Sequence, residues 1–197
     1  MESITVYYDY MSPFAYFAAE VLPAFAERLA VRVQWRPIEL LKLSNYANGL
    51  PYSEVKRRYI AIDAMRLSQY LGVPIAVPKP HPVASDRAQR LAAVALDDPR
   101  FAALHLSLFR AAWRDQRDLS SADVLRQCIQ AANGPAEEWL SQTAAAETSA
   151  KIERFTAEAE AAGVFGTPAM IFRDELFWGI DSLPVLEWRI AQSRANA

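Results

Sequence analysis

Ser12-Pro13-Phe14-Ala15 is the stretch from which the architecture of this chain can be worked out. It follows a short run of β-branched and aromatic residues, Ser3 to Tyr8, and it opens a long segment that carries one apolar face at spacings of three and four. A serine before a proline is typical of a helix start, where the hydroxyl caps free backbone N–H groups. We therefore expect a strand, a turn and a helix, with Ser12 at the positive end of the helix dipole, a place that favours an anion.

The composition is that of a folded globular protein and argues against several classes of function. The 197 residues are 52% hydrophobic and have a formal net charge of -2, so no basic excess attracts nucleic acid or an anionic membrane. The single cysteine, Cys128, has no partner for an internal disulfide, and two histidines leave few ligands for a metal. The sequence shows neither a signal peptide nor a run of roughly 20 apolar residues. We expect a cytoplasmic protein without a metal cofactor.

Both ends of the chain have the pattern of a small sheet with helices. The alternating segment Val31 to Ile38 follows the first helix and predicts a second strand, which completes a β-α-β unit. Near the other end, Ala169 to Phe172 and Leu176 to Trp178 flank a polar turn and predict a hairpin. Asp181 to Pro184 then open a last helix. Together the ends predict the β-α-β and β-β-α halves of a thioredoxin-like fold.

The middle of the chain is predicted to be helical. One helix begins after Ser53, and four prolines between Val73 and Pro82 indicate an extended crossover. Ala84 to Ala162 then has the pattern of four or five short helices. The predicted fold class is therefore α/β, a thioredoxin-like fold interrupted by an all-helical insertion. The predicted domains are a thioredoxin-like domain of residues 1–52 and 163–197 and an insertion of residues 53–162.

Two features of a thioredoxin-like domain face each other, namely the N-terminus of the first helix and the turn before the third strand, where a cis-proline is expected. Thr167-Pro168 lies at that turn, and a cis peptide there presents the backbone of Thr167 to a peptide-like ligand. The alternative interpretation is a tight turn that only enters a strand. For Ser12 the alternative is a plain helix cap. No nearby histidine supplies a general base, but a hydroxyl at this place can donate a hydrogen bond to the thiolate of a ligand.

Three motifs resemble those of one enzyme family. They are YDYMSPFAY at residues 8–16, VFGTP at 164–168 and ELFWGID at 175–181. Together they are similar to the 2-hydroxychromene-2-carboxylate isomerases, which belong with the kappa-class glutathione S-transferases in the DsbA-like thioredoxin superfamily. The disulfide oxidoreductases of that superfamily have Cys-x-x-Cys where this chain has Ser12 and Ala15. Thiol–disulfide exchange by these positions is therefore excluded.

The resemblance implies glutathione as cofactor and Ser12 as the catalytic residue that holds the glutathione sulfur as a thiolate. The thiolate would act as a nucleophilic catalyst on a small aromatic carboxylate of 2-hydroxychromene-2-carboxylate type, a bicyclic compound of aromatic degradation. The family also implies a homodimer. Two alternatives remain open: a kappa-like glutathione S-transferase or peroxidase, and a cysteine-less thioredoxin-like domain that binds peptides or acts as an adaptor.

The resemblance also implies which residues bind the rest of glutathione. Asn48, followed by Gly-Leu-Pro, corresponds to an asparagine and proline of the loop after the second strand. Thr167 before Pro168 would contribute backbone contacts, and Asp181 would bind the γ-glutamyl ammonium group. Asp181 has the alternative role of capping the last helix. Ile180 stands where kappa-class relatives often have serine, so one hydroxyl contact is missing.

Overall fold

A computed structural model of the chain describes residues 1–49 and 52–195. Within these ranges four strands form one sheet, and eight α-helices accompany it. The strands are β1 (Ser3–Tyr8), β2 (Arg32–Pro37), β3 (Ala169–Phe172) and β4 (Glu175–Trp178). The helices are α1 (Pro13–Arg28), α2 (Glu54–Leu71), α3 (Asp86–Ala95), α4 (Phe101–Trp113), α5 (Ala122–Ala131), α6 (Ala136–Gln142), α7 (Ala146–Ala161) and α8 (Leu183–Ala195).

The sheet has the strand order β2-β1-β3-β4 and is mixed. β1 and β2 are parallel, with Ser3 opposite Arg32, whereas β3 runs antiparallel to both β1 and β4. Tyr7 and Trp178 both pair with Ala169, the first residue of β3. Thus β1 and β3, which come from opposite ends of the chain, are the two central strands. The predicted β-α-β and β-β-α halves of a thioredoxin-like fold are confirmed.

The first helix is buried more widely than a single apolar face predicts. Every residue of the run Ala15–Ala19 is buried, because α1 packs on the sheet and also against α4. The ring centroids of Tyr16 and Phe109 lie 6.2 Å apart. At the edge of this contact the Arg110 guanidinium donates two hydrogen bonds of 2.7 Å to the Glu20 carboxylate. The helix that starts at Ser12 is therefore enclosed on two sides.

Between β2 and β3 the described chain is helical, as predicted. α2 is capped by the Ser53 hydroxyl, which accepts from the Lys56 N–H at 3.2 Å, and it ends at Gly72 with φ of 67°. Five helices, α3 to α7, follow the proline-rich crossover. No helix within the described ranges is both long enough and apolar enough to cross a membrane.

One hydrophobic core joins the sheet to the helical segment. It contains side chains of β1 and α1, such as Val6 and Phe17, together with Leu104 and Phe109 of α4. The division of the chain into two domains at residues 52 and 163 stays a prediction.

Candidate functional site

Ser12 lies where the sequence predicts it, at the N-cap of α1. Its backbone is extended, and its Oγ accepts a hydrogen bond of 3.2 Å from the Ala15 N–H. The Ser12 N–H donates to the Asp9 carbonyl at 3.0 Å and so closes a turn between β1 and α1. Only 6% of the Ser12 surface is exposed. The hydroxyl is thus buried beside the positive end of the helix dipole.

The cis-proline turn lies directly opposite this hydroxyl. The Thr167–Pro168 peptide bond is cis, and the Ser12 hydroxyl donates a hydrogen bond of 2.8 Å to the Thr167 carbonyl across 155 residues of sequence. The predicted juxtaposition of helix start and cis-proline is confirmed. The Thr167 hydroxyl is also buried, and within the part of the chain that the structure describes it has no hydrogen-bond partner. The site therefore holds the Ser12 hydroxyl, which is hydrogen-bonded, and the Thr167 hydroxyl, which has no partner in the described chain.

Asp9, a residue that the sequence reasoning did not single out, is buried beneath the Ser12 turn. Only 3% of its surface is exposed. Oδ1 accepts from the Met11 N–H at 2.9 Å and Oδ2 from the Leu40 N–H at 3.0 Å. Burial raises the pKa of the Asp9 carboxyl, while hydrogen bonds from the Ser85 side chain, from these two N–H groups and from the Gln89 side chain act to lower it. The signal in the sequence was an acidic residue at the very end of a buried strand, where a carboxylate is costly without partners.

A second buried polar side chain reaches the same place from the helical segment. Gln89 of α3 donates from Nε2 to the Tyr8 carbonyl at 3.2 Å and to the Ile38 carbonyl at 2.6 Å. These carbonyls lie at the carboxyl ends of the parallel strands β1 and β2. Gln89 therefore joins the helical segment to the end of the sheet at which the Ser12 turn lies.

On the other side of the cis-proline turn, the loop after β2 contacts Phe165 through Asn45 and Tyr46. Asn45 Nδ2 and the Tyr46 hydroxyl both donate to the Phe165 carbonyl, at 2.9 and 3.2 Å. Asn48, the predicted glutathione ligand, lies three residues further along in an exposed turn. Leu50 and Pro51, which complete its motif, lie outside the described residues. The contact of Asn48 with glutathione stays a prediction, and Asn45 is the asparagine that holds the cis-proline loop.

Asp181 follows β4, whose pairing with β3 brings it near the cis-proline. The Gly179 N–H, just after β4, donates to the Pro168 carbonyl at 3.0 Å, and Asp181 is exposed in a 3-10 turn that spans Ile180–Ser182. Gly179 has φ of 77°, and a Cβ at this position would overlap Asp181 Oδ1. Both roles of Asp181, as ligand and as helix cap, stay predictions.

Two aromatic side chains flank the cis-proline turn at the surface. The ring centroids of Phe165 and Trp178 lie 5.1 Å apart, and both side chains are nearly half exposed. Gly166 lies between them, and a Cβ there would come within 2.7 Å of Trp178 Nε1. An exposed aromatic pair beside a buried hydroxyl and a helix N-terminus is suited to an anionic ligand with an apolar body.

Comparison with known proteins supports the resemblance drawn from the sequence. The family model of the DSBA-like thioredoxin domain matches residues 3–191. The 2-hydroxychromene-2-carboxylate isomerase of Pseudomonas putida is 28% identical over 197 residues, covering 93% of this chain and 92% of the relative. That of Sphingobium xenophagum is 25% identical, covering 94% and 96%. A solved structure of a 2-hydroxychromene-2-carboxylate isomerase has a TM-score of 0.87 at 22% identity, and the match covers 98% of each chain.

Proposed function

This chain belongs to the DSBA-like thioredoxin domain family, and on that premise we propose that it is an isomerase of 2-hydroxychromene-2-carboxylate or of a similar bicyclic carboxylate. Two relatives that match along nearly the whole chain carry that name. The observation that carries the proposal is the serine at the N-cap of α1. Its hydroxyl points across to the cis-proline turn, at the position where oxidoreductases of this superfamily have a reactive cysteine.

We propose glutathione as the cofactor, held between Ser12 and the cis-proline turn. When bound, glutathione supplies the nucleophile that this chain lacks at the position of the missing cysteines. The donor set fits a thiolate, because a buried hydroxyl and the positive end of a helix dipole both favour the anionic form over the thiol. The free Thr167 hydroxyl is a further polar group in the same place.

The Ser12 hydroxyl has two possible acceptors in this scheme. In the structure it donates to the Thr167 carbonyl at 2.8 Å. Donation to a thiolate requires the hydroxyl to turn away from that carbonyl, which then accepts a hydrogen bond from an amide of the ligand. This exchange of hydrogen-bond partners leaves no buried polar group unpaired, so its cost in free energy is small. Ser12 therefore acts by holding an anion and does not need to lose its proton.

The remaining residues of the site orient and enclose the ligand. The exposed pair of Phe165 and Trp178 offers an apolar surface to an aromatic substrate. Lys56, Arg57 and Arg58 are exposed cations at the start of α2 that either pair with ligand carboxylates or form a solvated helix face, and Lys56 Nζ lies 4.4 Å from the centre of the Tyr52 ring. Asn48 and Asp181 keep their proposed contacts with glutathione.

The proposal is tested by following the ultraviolet absorbance of 2-hydroxychromene-2-carboxylate with purified protein, with and without glutathione. We expect conversion only with glutathione, and no net consumption of glutathione. The Ser12→Ala variant should lose about 10²-fold or more in kcat, as for removal of one donor to a developing anion. Unchanged turnover in this variant would refute the role of Ser12.

The same preparation separates the alternative functions. Steady consumption of glutathione, with release of a conjugate or a disulfide, would indicate a transferase or peroxidase instead. A melting temperature that does not shift at millimolar glutathione would favour a peptide-binding or adaptor domain. A ligand that binds the folded protein raises the free energy of unfolding, and the increase grows with the logarithm of the ligand concentration.

A further inference from the structure

We propose that Asp9 is a positioning residue for Ser12, and that its carboxylate fixes the Ser12 turn and the loop after β2 in one arrangement. Asp9 positions Ser12, and only the identity of the ligand on which Ser12 acts rests on the proposed function. The positioning itself is a statement about the folded chain.

The first observation is that Asp9 is buried without a cation beside it. Only 3% of its surface is exposed, and aspartate is almost never buried to this extent unless it is paired. Within residues 1–49 and 52–195 its hydrogen-bond donors are the side chains of Ser85 and Gln89 and the main-chain N–H groups of Met11 and Leu40, and they include no lysine or arginine side chain. An apolar residue in this place would avoid the cost of desolvation, so the carboxylate has a task that an apolar residue cannot perform.

One carboxylate oxygen fixes the turn that ends at Ser12. Oδ1 accepts from the Met11 N–H at 2.9 Å, while the Asp9 carbonyl accepts from the Ser12 N–H at 3.0 Å. The side-chain bond is an Asx turn, which sets the backbone of the two residues that follow the aspartate. Ser12 comes next and caps α1 with the same hydroxyl that donates to Thr167. The direction of that hydroxyl is therefore set by Asp9.

The other oxygen fixes the opposite wall of the site. Oδ2 accepts from the Leu40 N–H at 3.0 Å, at the start of the loop that follows β2. Five and six residues later this loop carries Asn45 and Tyr46, whose side chains donate to the Phe165 carbonyl two residues before Thr167. One carboxylate thus connects the Ser12 turn with the loop that holds the cis-proline turn.

Thr156 of α7 offers a matched control for this role. It is buried, and its hydroxyl accepts a hydrogen bond of 3.1 Å from the Glu39 N–H, next to Leu40 in the loop after β2. Gln89 is unsuitable, because its side chain is itself hydrogen-bonded to the Asp9 carboxyl. Thr156→Val therefore loosens the same loop while leaving the hydrogen bonds of Asp9 and of the Ser12 turn in place.

The experiment uses a reporter at position 12 that requires neither glutathione nor substrate. In the Ser12→Cys variant the new thiol lies at the N-terminus of α1, and its pKa is measured from thiolate absorbance and from the pH dependence of alkylation. The unmodified protein gives the baseline for Cys128, which is buried and whose thiol pKa is raised by that burial. We expect the thiol pKa of the Ser12→Cys variant to lie below the ordinary value of about 8.5.

Three second substitutions are then compared in this reporter. Asp9→Ala should raise the thiol pKa by about one unit, a roughly tenfold loss of thiolate below that pKa. Asp9→Asn keeps an oxygen for the Met11 N–H, so the pKa should stay low. Thr156→Val should leave the pKa unchanged. If Asp9→Ala does not fold, Asp9→Leu, which fills the volume and also removes both acceptors, is expected to give the same rise.

Two results would overturn the proposal. Removal of a nearby negative charge lowers a thiol pKa, so equal downward shifts in Asp9→Ala and Asp9→Asn would mean that Asp9 acts only through its charge. An equal rise in Thr156→Val and Asp9→Ala would mean that general loosening of the loop after β2, rather than Asp9, sets the pKa. Absence of isomerase activity in the unmodified protein would instead refute the proposed function and would leave the reporter result standing.

Discussion

Acidification should destabilise this protein through His105, a neutral histidine enclosed in the core below the Ser12 turn. Its ring centroid lies 4.4 Å from those of both Tyr8 and Trp35, and only 3% of its surface is exposed. Nδ1 shares a hydrogen bond of 3.0 Å with the Tyr10 hydroxyl, whereas in the described chain Nε2 has no partner. Burial without a counter-ion lowers the pKa of His105 from 6.5 to about 3.

The size of the effect follows from this difference in pKa. Below about pH 6.5 the unfolded chain binds a proton at His105 and the folded protein does not, so the free energy of unfolding falls by about 1.4 kcal/mol for each further pH unit. Between about pH 7 and pH 5 the loss is about 2 kcal/mol, a substantial part of the stability of an ordinary domain. Burial raises the pKa of Asp9, which acts in the opposite direction wherever the folded carboxyl binds more protons than the unfolded one.

The comparison of unmodified protein with His105→Phe isolates this contribution. Urea unfolding, followed by tryptophan fluorescence, gives the free energy of unfolding at each pH. We expect the variant to have a smaller slope with pH, since contributions from Asp9 and from surface carboxyls are common to both proteins. His81→Phe, at the other histidine, which is exposed, is the control and should parallel the unmodified protein. Equal slopes in all three proteins would refute the account of a neutral buried histidine.

Three further substitutions test the packing and the site. Gly134→Ala should cost about 1–3 kcal/mol of stability by overpacking, because its Cβ would lie 2.6 Å from Trp139 Cζ3 and 2.7 Å from Ile129 Cγ2; chemical unfolding at unchanged helix content measures this loss. Leu104→Ala should cost about 2–5 kcal/mol, since Leu104 is fully buried, and a loss below about 1 kcal/mol would contradict its place in the core. Thr167→Val should change stability by less than about 1 kcal/mol, because the Thr167 hydroxyl has no partner in the described chain; a larger loss would reveal a hydrogen bond that this account lacks.

The elements of the fold could be predicted because their signals are local. Ser12 before Pro13, and the polar turn inside the terminal hairpin, are recognisable within four or five residues, since capping and turn formation depend on neighbours in sequence. The wide burial of α1 was not predictable in this way. It requires α4, about 90 residues away, to pack on the side of the helix that faces away from the sheet.

The candidate site was predictable to the extent that it follows from the fold. Ser12 and Thr167-Pro168 were placed opposite each other because a thioredoxin-like sheet brings them together, and the structure confirms this. The contact of Asn45 with the cis-proline loop was not predicted, because which of two nearby asparagines reaches a carbonyl depends on loop geometry. The contact of Asn48 with glutathione stays a prediction. Asp9 was missed for a similar reason: its place at the end of a buried strand is visible in the sequence, but the Leu40 N–H that pairs with its carboxylate is brought to it only by the fold.

The start of α1 at Ser12-Pro13 could thus be predicted from local rules alone. The serine at position 12, in place of a cysteine, was enough to exclude disulfide exchange. The direction of the Ser12 hydroxyl, the buried carboxylate of Asp9 beneath it and the amide of Gln89 beside it were decided by tertiary structure. The physical reason is that hydrogen bonds such as Ser12 to Thr167 close 155 residues of chain. Such contacts form only when the whole core has packed, and no pattern within one segment of sequence specifies them.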